Sequence, residues 1–471
     1  MDAMPEPESI RTQLPEEKKR TVTREEGWDG MRRYLPISLV CTYLLLSARL
    51  FGLIRQYAVN VLYWDEWDLD DAALFQRHSL WEMFRWQHNW ARMGLGGPLQ
   101  KLIEPSIHWN SRYDAFVVGA GMLGVAVLAL LLKVRLYGGI AYSDAIIPLL
   151  FLTPLQYEAL VLSDSTIVFL PLLFLLYCSC WLIRAYRWKY VCVLLVNFFL
   201  IYCGAGLFIG VVTPVLLALD YYGNTRHLAP KYRWGSAAAF AISIASLASF
   251  FVGLKFNPAV DCFSPAPRNP IEYLWFVALM FAHVAGFTVF SLTLGTLIGS
   301  IALLLLLVGL AVAAKRLLAQ KSDTWSRDAA IAALLAYCAV FCLSTAYGRL
   351  CLGLVAAGSS RYTFYVILGC FGLYLYVLSI RSRTLRIFLV LGLLFYAVLG
   401  VLPLNRVDAW ELENLGNGKR AWRECYMARH DIHACDTLTD FPISSDPEAT
   451  HLQEKLDFLE RNHLNLYDGS D

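Results

Sequence analysis

The chain has 471 residues, of which 57% are hydrophobic and only 17% charged, with a mean hydropathy of +0.48 and a formal charge of +2. Ordinary globular chains run at roughly 45–50% apolar and about 25% charged, so these figures exclude a soluble enzyme, a disordered chain and a small disulfide scaffold. The near-neutral charge offers no basic face for nucleic acid. Several apolar runs reach the ~18–20 residues that cross a bilayer. The expected fold class is an all-α polytopic membrane protein, with the lipid bilayer as its main partner.

The opening residues are polar and mixed in charge, and Glu16 to Arg20 reads EEKKR. The apolar run that follows, Tyr34 to Ile54, is too long for the h-region of a signal peptide and has no small-residue cleavage site after it, so it reads as a retained first span. Further runs fall at 34–54, 115–132, 143–162, 165–183, 190–203, 205–220, 235–254, 288–314, 328–347, 362–380 and 386–403, about eleven helices in all. Lys and Arg cluster at alternate ends: Lys18 to Arg20, Lys133 and Arg135, Arg184 to Lys189, Arg226 to Arg233, Lys315 to Lys321, and Arg381 to Arg386. The positive-inside rule puts those turns and the N-terminus in the cytoplasm. The alternation holds only if Ile271 to Phe287 does not cross. That stretch, rich in aromatics and preceded by Pro270, reads as an interfacial or re-entrant helix on the outer side. If it crosses, everything downstream is inverted.

The division expected is a cytoplasmic tail at 1–33, a transmembrane domain at 34–404 and an outer tail at 405–471. Residues 55–114 form a long first outer loop and 255–270 a short one. Glu448 to Asn462 has helical periodicity, with Leu452, Leu456 and Leu459 on one face, as in a small cap. No internal repeat of the kind common in secondary transporters is visible. Most cysteines lie inside apolar runs, where a thiol is a small hydrophobe, and none shows a CxxC zinc spacing. Cys425 and Cys435 lie ten apart in the polar tail. Outside the cytosol they would form a disulfide; otherwise they are two free thiols.

Chemistry concentrates in the first outer loop, which opens Tyr63-Trp64-Asp65-Glu66-Trp67-Asp68-Leu69-Asp70-Asp71. Carboxylates at a membrane edge, partly desolvated, gain basicity suited to a general base near neutral pH. Clustered carboxylates can also hold a divalent cation. Asp65, Glu66 and Asp68 are the functional candidates. Asp70 and Asp71 look like the N-cap and first turn of a following helix. Next comes Trp86-Gln87-His88-Asn89-Trp90-Ala91-Arg92. His88, Asn89 and Arg92 can orient sugar hydroxyls or a phosphate, or His88 is an interfacial histidine. His108-Trp109-Asn110 is a weaker echo of it. In the late segment YGRLCLGLVAAGSSRY, Arg349 and Arg361 are the only charges. A guanidinium at a helix mouth fits phosphate oxygens, and Ser359, Ser360 and Tyr362 can add hydrogen bonds. The other reading of both arginines is snorkelling toward lipid headgroups.

Glu158, in an apolar stretch, needs a partner and is a candidate to face the same cavity as Asp65. Asp164, at the same outer turn, reads as a functional candidate or as the cap of the fourth helix. Gly204 and Gly206 break one apolar run into two helices with a tight turn between them. His283 reads as structural, and the basic turns as topology signals and contacts for anionic lipid.

A first span followed by a long outer loop that begins with an acidic motif resembles the C-type integral membrane glycosyltransferases, among them the protein O-mannosyltransferases and bacterial aminoarabinose transferases. The likeness covers residues 34–404. It rests on the WDEW segment, the His88-Asn89 pair, the Arg361-Tyr362 pair entering a late helix and the cysteine-bearing tail. It implies a polyprenyl-phosphate sugar donor, an acidic base at Asp65 or Glu66, and a bacterial inner membrane with the active face toward the periplasm. Related chains often carry an acid directly after His-Asn; here Trp90 stands there, which leaves a second acid unassigned. A monophosphate leaving group needs little metal assistance, so no obligatory cofactor is expected, with a divalent cation at Asp65 and Asp68 as the alternative. The competing function is a transporter or flippase for a lipid-linked or amphipathic substrate, using the same arginines for phosphate and the same carboxylates for protons. A third reading is a non-catalytic assembly factor of the cell envelope.

Overall fold

A computed structural model describes residues 17–76, 78–88, 91–162, 165–227, 230–255, 269–287, 292–319, 324–402 and 406–469. Helices dominate, and the strands described are the two residues Gln87–His88 (β1) and Ala91–Arg92 (β2), paired antiparallel. In chain order the helices are α1 (Glu17–Tyr57), α2 (Glu66–Asp70), α3 (Leu80–Arg85), α4 (Gly96–Ile103) and α5 (Ser111–Tyr137). Then come α6 (Ile146–Phe151), α7 (Tyr157–Val161), α8 (Phe169–Cys180), α9 (Tyr186–Ile201), α10 (Leu207–His227) and α11 (Pro230–Phe251). They are followed by α12 (Pro270–Val284), α13 (Leu292–Ala319), α14 (Trp325–Arg349), α15 (Ser360–Leu378) and α16 (Arg383–Val401). The last three are α17 (Arg406–Arg429), α18 (Ile432–Thr439) and α19 (Leu452–Asn462).

Among the described residues nine segments are long and apolar enough to cross a membrane. The chain is therefore an all-α, multi-pass membrane protein. The apolar runs at 165–183 and 190–203 fold as shorter helices. α8 has 12 residues after a 3₁₀ turn at Ser165–Val168, and α9 has 16. α12 has 15 residues, and every residue from Phe276 to Val284 is buried. A helix lying flat on an interface would keep one face open, so this burial matches an element inserted into the bundle. Close packing lets it in: Ala278 meets Gly299 of α13 where any Cβ on the glycine would strike the Ala278 carbonyl, and Tyr396 of α16 donates to the Phe281 carbonyl. His283 is buried there, as its structural reading implies.

At one end of the bundle the basic turns carry ion pairs. Lys133 meets Asp144 at 2.7 Å, Lys189 meets Asp220 at 3.0 Å and Arg316 meets Asp328 at 3.6 Å. These lysines and this arginine tie neighbouring helices together.

At the other end, the first long loop and the C-terminal tail build one shared core. Val61, Leu62, Trp67 and Met83 of the loop pack with Trp422, Tyr426, Ile443, Leu452, Leu456 and Leu459 of the tail. The three leucines expected on one helical face all point into it. Polar groups close the seam. Asn60 Nδ2 donates to the Asn465 carbonyl at 2.6 Å, and Asn465 Nδ2 donates to the Trp109 carbonyl at 2.6 Å and to Ser111 Oγ at 2.9 Å. The tail is thus a cap fused to the loop, and Cys425 of α17 is disulfide-bonded to Cys435 of α18, with their Cα atoms 5.6 Å apart. Asp70 and Asp71 take the expected places, N-cap and first turn of the helical turn at Asp71–Phe75, but without a side-chain cap bond. Asp70 also ends α2. α2 itself starts at Glu66, where Tyr63 N–H finds the Glu66 carboxylate at 2.6 Å.

Candidate functional site

The site is assembled where α2, β1, α7 and α15 converge. Trp64, just before α2, holds a left-handed backbone (φ 50°), a conformation that costs a bulky residue about 1–2 kcal/mol. The cap holds it there: Trp64 N–H donates to the Ile443 carbonyl at 3.0 Å, and its indole N–H to the Pro442 carbonyl at 3.3 Å. The turn leaves the Asp65 side chain more than half exposed (57%) at the start of α2.

Two groups from distant parts of the chain face that carboxylate. Arg361 Nη1 lies 4.0 Å from Asp65 Oδ2, and His88 Nε2 lies 3.9 Å from Asp65 Oδ1. Both are too long for direct hydrogen bonds, and the arginine contact is one between opposite charges. Arg361 is fixed from the other side by Glu158. Its Nε donates to Glu158 Oε2 at 2.9 Å and its backbone N–H to the same oxygen at 3.2 Å, while Ser359 Oγ donates at 3.3 Å. In return Glu158 N–H donates to Ser360 Oγ at 2.8 Å. Glu158 therefore caps the amino end of α15, where a carboxylate is favoured by the helix dipole, and at the same time orients the guanidinium. α7 is itself fastened to the cap by Tyr157, whose hydroxyl donates to Glu411 of α17. Tyr362 borders the cluster, within electrostatic range of Arg361 and Glu158 on one side and of Arg349 on the other. The structure thus brings Asp65, His88, Arg361 and Tyr362 into one neighbourhood, with Arg349 near Tyr362, and Glu158 stands there too, as the sequence led one to expect.

Other expected site residues sit elsewhere. Glu66 is 4% exposed. One carboxylate oxygen accepts from Tyr63 N–H at 2.6 Å and from Lys419 Nζ of α17 at 3.3 Å. Burial lowers the Lys419 pKa, and Glu66 opposes that fall. Glu66 thus fastens the loop to the cap, whereas Asp65 faces outward. The Tyr63 phenol beside it has its pKa pushed up to about 12 by burial, then by Glu66 and Glu158.

Asp68 faces a different feature. It lines an open cleft of about 530 Å³ between loop and cap, with Asp71, Phe75, Glu454, Lys455 and Arg461. Arg92 corrects the expectation of a substrate contact. It is 4% exposed, and its guanidinium donates to the carbonyls of Phe250 (3.0 Å), Arg85 (2.5 Å) and Val252 (2.9 Å). Two of these are orphan carbonyls at the carboxyl end of α11, the usual place for a basic side chain. Gln87 seconds it with paired bonds to Lys255. Arg92 therefore pins the β1–β2 hairpin, and with it His88, to the bundle. Gly94, with φ +58° and Tyr202 backbone so close that a Cβ would overlap it, makes that approach possible. Asn89 and Asp164 lie outside the described residues. His108 is exposed, and Asn110 caps α5 by accepting from Arg112 and Tyr113 N–H groups.

Sequence reading missed Lys419 and Lys455. Each stands beside another charged residue, Arg420 and Glu454, in a polar helix, so no local signal marks it as buried. Among the described residues no three His, Cys, Asp or Glu side chains are grouped to hold a metal ion.

No family model matches the chain, and no curated protein or solved structure matches it.

Proposed function

We propose that the chain is a membrane glycosyltransferase that moves a sugar from a polyprenyl-phosphate donor to a hydroxyl-bearing acceptor of the cell envelope. The observation that carries this reading is the pairing of an exposed carboxylate, Asp65, with a guanidinium, Arg361, at the mouth of a helix in an apolar bundle. A base and an anion clamp side by side match a reaction that removes a proton and releases a phosphate.

In this reading the lipid lies between helices and its phosphate meets the Nη1 end of Arg361, with Arg349 adding positive charge. Asp65 takes the proton of the acceptor hydroxyl as its oxygen bonds to the anomeric carbon. The bond from that carbon to the phosphate oxygen breaks, its electron pair stays on the phosphate, and Arg361 stabilises the charge that builds there. His88 holds the Asp65 carboxylate in place and can take the proton onward. Glu158 keeps Arg361 from following the departing lipid. Glu66 stays out of the reaction.

The side of action follows from chemistry too. The capped end carries the Cys425–Cys435 disulfide, and Cys351, next to α14's end, is disulfide-bonded as well. The described free cysteines lie within the bundle helices or at their ends. Disulfides belong to oxidising compartments, and the opposite end carries the basic turns. Both support a cytoplasmic N-terminus and a site facing outward, as in a periplasm.

The test is native mass spectrometry of the purified protein in lipid nanodiscs with polyprenyl monophosphate or the uncharged polyprenol. Wild type and Asp65→Asn are expected to retain the monophosphate preferentially, and Arg361→Ala to lose that preference. Equal retention of both lipids by the wild type would contradict the reading.

A further inference from the structure

The open cleft between loop and cap, about 530 Å³, falls within the size of small-molecule sites, about 300–1,000 Å³, and takes no part in the reaction steps around Arg361. One wall is α2 with the helical turn after it; the other is α19 with the turn before it. α2 ties the cleft to Asp65. Asp68 N–H donates to the Asp65 carbonyl at 3.1 Å, and residues three apart on a helix are side-chain neighbours. Asp65 therefore neighbours Arg361, at 4.0 Å, and also the mouth of the cleft.

The more buried part of the lining is aromatic and carries one cation. Phe75 and Phe458 meet edge to face with ring centroids 5.5 Å apart, and Lys455 Nζ lies 5.5 Å from the Phe75 centroid. Lys455 is 8% exposed. Its ammonium meets Asp71 Oδ1 at 3.2 Å and donates to the Trp67 carbonyl at 2.9 Å. An ammonium has three N–H donors, and the third has no acceptor among the described residues. A donor this buried in the wall of a cleft calls for an acceptor on an occupant.

The rest of the lining mixes acceptors with donors. Asp68 and Glu454 present carboxylates that accept no hydrogen bond from a described residue. Arg461 donates its Nε–H to the Asp457 carbonyl at 3.0 Å, and its Nη groups meet no acceptor among the described residues. This mixture selects by charge. An anion meets the carboxylates of Asp68, Asp71 and Glu454, and a cation meets Lys455 and Arg461. An uncharged polyol offends neither, because each hydroxyl both donates and accepts. The C–H face of a sugar ring also packs on the negative face of a phenyl ring. Both walls are helices and turns, so the cleft offers no strand edge to an extended peptide.

We infer that the cleft between α2 and α19 binds an uncharged saccharide, and that this saccharide is the acceptor of the transfer. Its role as acceptor rests on the transferase reading; its binding does not. The hydroxyl nearest the mouth gives its proton to Asp65, and its oxygen bonds to the anomeric carbon. The phosphate leaves with the electron pair of the broken bond. The Asp68 side of the cleft thus sets which hydroxyl reaches Asp65.

The test probes an array of neutral, uronic-acid and amino-sugar oligosaccharides with full-length protein in nanodiscs. Wild type is compared with Ala449→Trp, which fills the exposed rim of the cleft, and with Glu454→Ala/Arg461→Ala, which strips two exposed polar groups from it. Equal melting temperatures are expected, since all three positions are exposed. Wild type is expected to retain neutral oligosaccharides in preference to charged ones, and each variant to bind them about tenfold more weakly or worse. No retention of neutral saccharides by the wild type, a preference for charged ones, or equal retention by wild type and both variants would overturn the inference. The acceptor role is read in cells lacking the protein. A sugar mass lost in the deletion, restored by wild type and not by Ala449→Trp, supports it. Full restoration by Ala449→Trp overturns the acceptor role and spares the transferase reading. A deletion that changes no sugar mass overturns the transferase reading, and the array then decides saccharide binding alone.

Discussion

Arg361 is held between two carboxylates of unequal exposure. Glu158, 17% exposed, takes its Nε at 2.9 Å, and Asp65, 57% exposed, faces its Nη1 at 4.0 Å. The less exposed partner sets where the guanidinium points, and the open one shares the space in front of it. Asp65 enters from the first long loop and Arg361 from the mouth of α15, so the pairing depends on the whole end of the bundle. Asp65→Asn is expected to leave folding and lipid retention intact and to lower sugar transfer by about 10²- to 10⁴-fold, the usual worth of a general base. The same variant of a non-catalytic assembly factor would keep full function, and a proton-coupled carrier would lose the pH dependence of transport. Transfer assays and pH-dependent uptake in proteoliposomes separate the three.

Arg361→Lys is expected to fail nearly as badly as Arg361→Ala. Lysine lacks the Nε–H that meets Glu158, and a point charge cannot serve two partners in one plane. Glu158→Gln should keep transfer but weaken donor retention about tenfold, since one charge-assisted bond is lost. Equal donor affinity in wild type and Glu158→Gln would show that Arg361 needs no such anchor.

Lys419→Met leaves the buried Glu66 side chain without its cation. Breaking a buried pair costs about 3–5 kcal/mol, visible as a large drop in melting temperature. Adding Glu66→Gln is expected to recover part of that loss, because the uncompensated charge goes with it. If the two single variants lost little and their effects simply added, the pair would not be fastening loop to cap.

The capping disulfide closes a short loop between α17 and α18. Cys425→Ser/Cys435→Ser is expected to destabilise the protein by about 2–3 kcal/mol, from the chain-entropy cost of a loop this size. A reducing agent should lower the wild-type melting temperature and leave that of the double variant unchanged. Sensitivity of the variant to reductant would point to Cys351 instead.

Tyr63 gives an alkaline signature. Its pKa is raised to about 12, by burial first. Between about pH 10 and that value the folded chain keeps a proton that the unfolded chain has lost, so stability falls as pH rises through the window. Tyr63→Phe is expected to flatten this part of the stability profile, measured by chemical denaturation at stepped pH.

Much of the architecture was legible because hydropathy dictates it. Bilayer-length apolar runs must satisfy their backbone within helices, so α1, α5, α13 and α16 could be read directly. The break at Gly204 and the leucine face of α19 followed from local rules. The disulfide-ready pair in the tail was readable from its polar setting. What the sequence concealed was long-range. Glu66 looks like Asp65 in a run of acids, and only Lys419, far down the chain, makes one buried and the other open. Arg92 looks like a ligand-binding arginine until the last carbonyls of α11 claim it. In each case a tertiary partner chose between readings that local sequence leaves equal.

The most direct measurement is mass spectrometry of envelope glycolipids, polysaccharides and glycoproteins from cells lacking this protein. Those cells would be complemented with wild type or with Asp65→Asn at equal protein level. The account expects one sugar mass to vanish in the deletion, to return with wild type and to stay absent with Asp65→Asn. A deletion in which no sugar mass changes, or full restoration by Asp65→Asn, would contradict it.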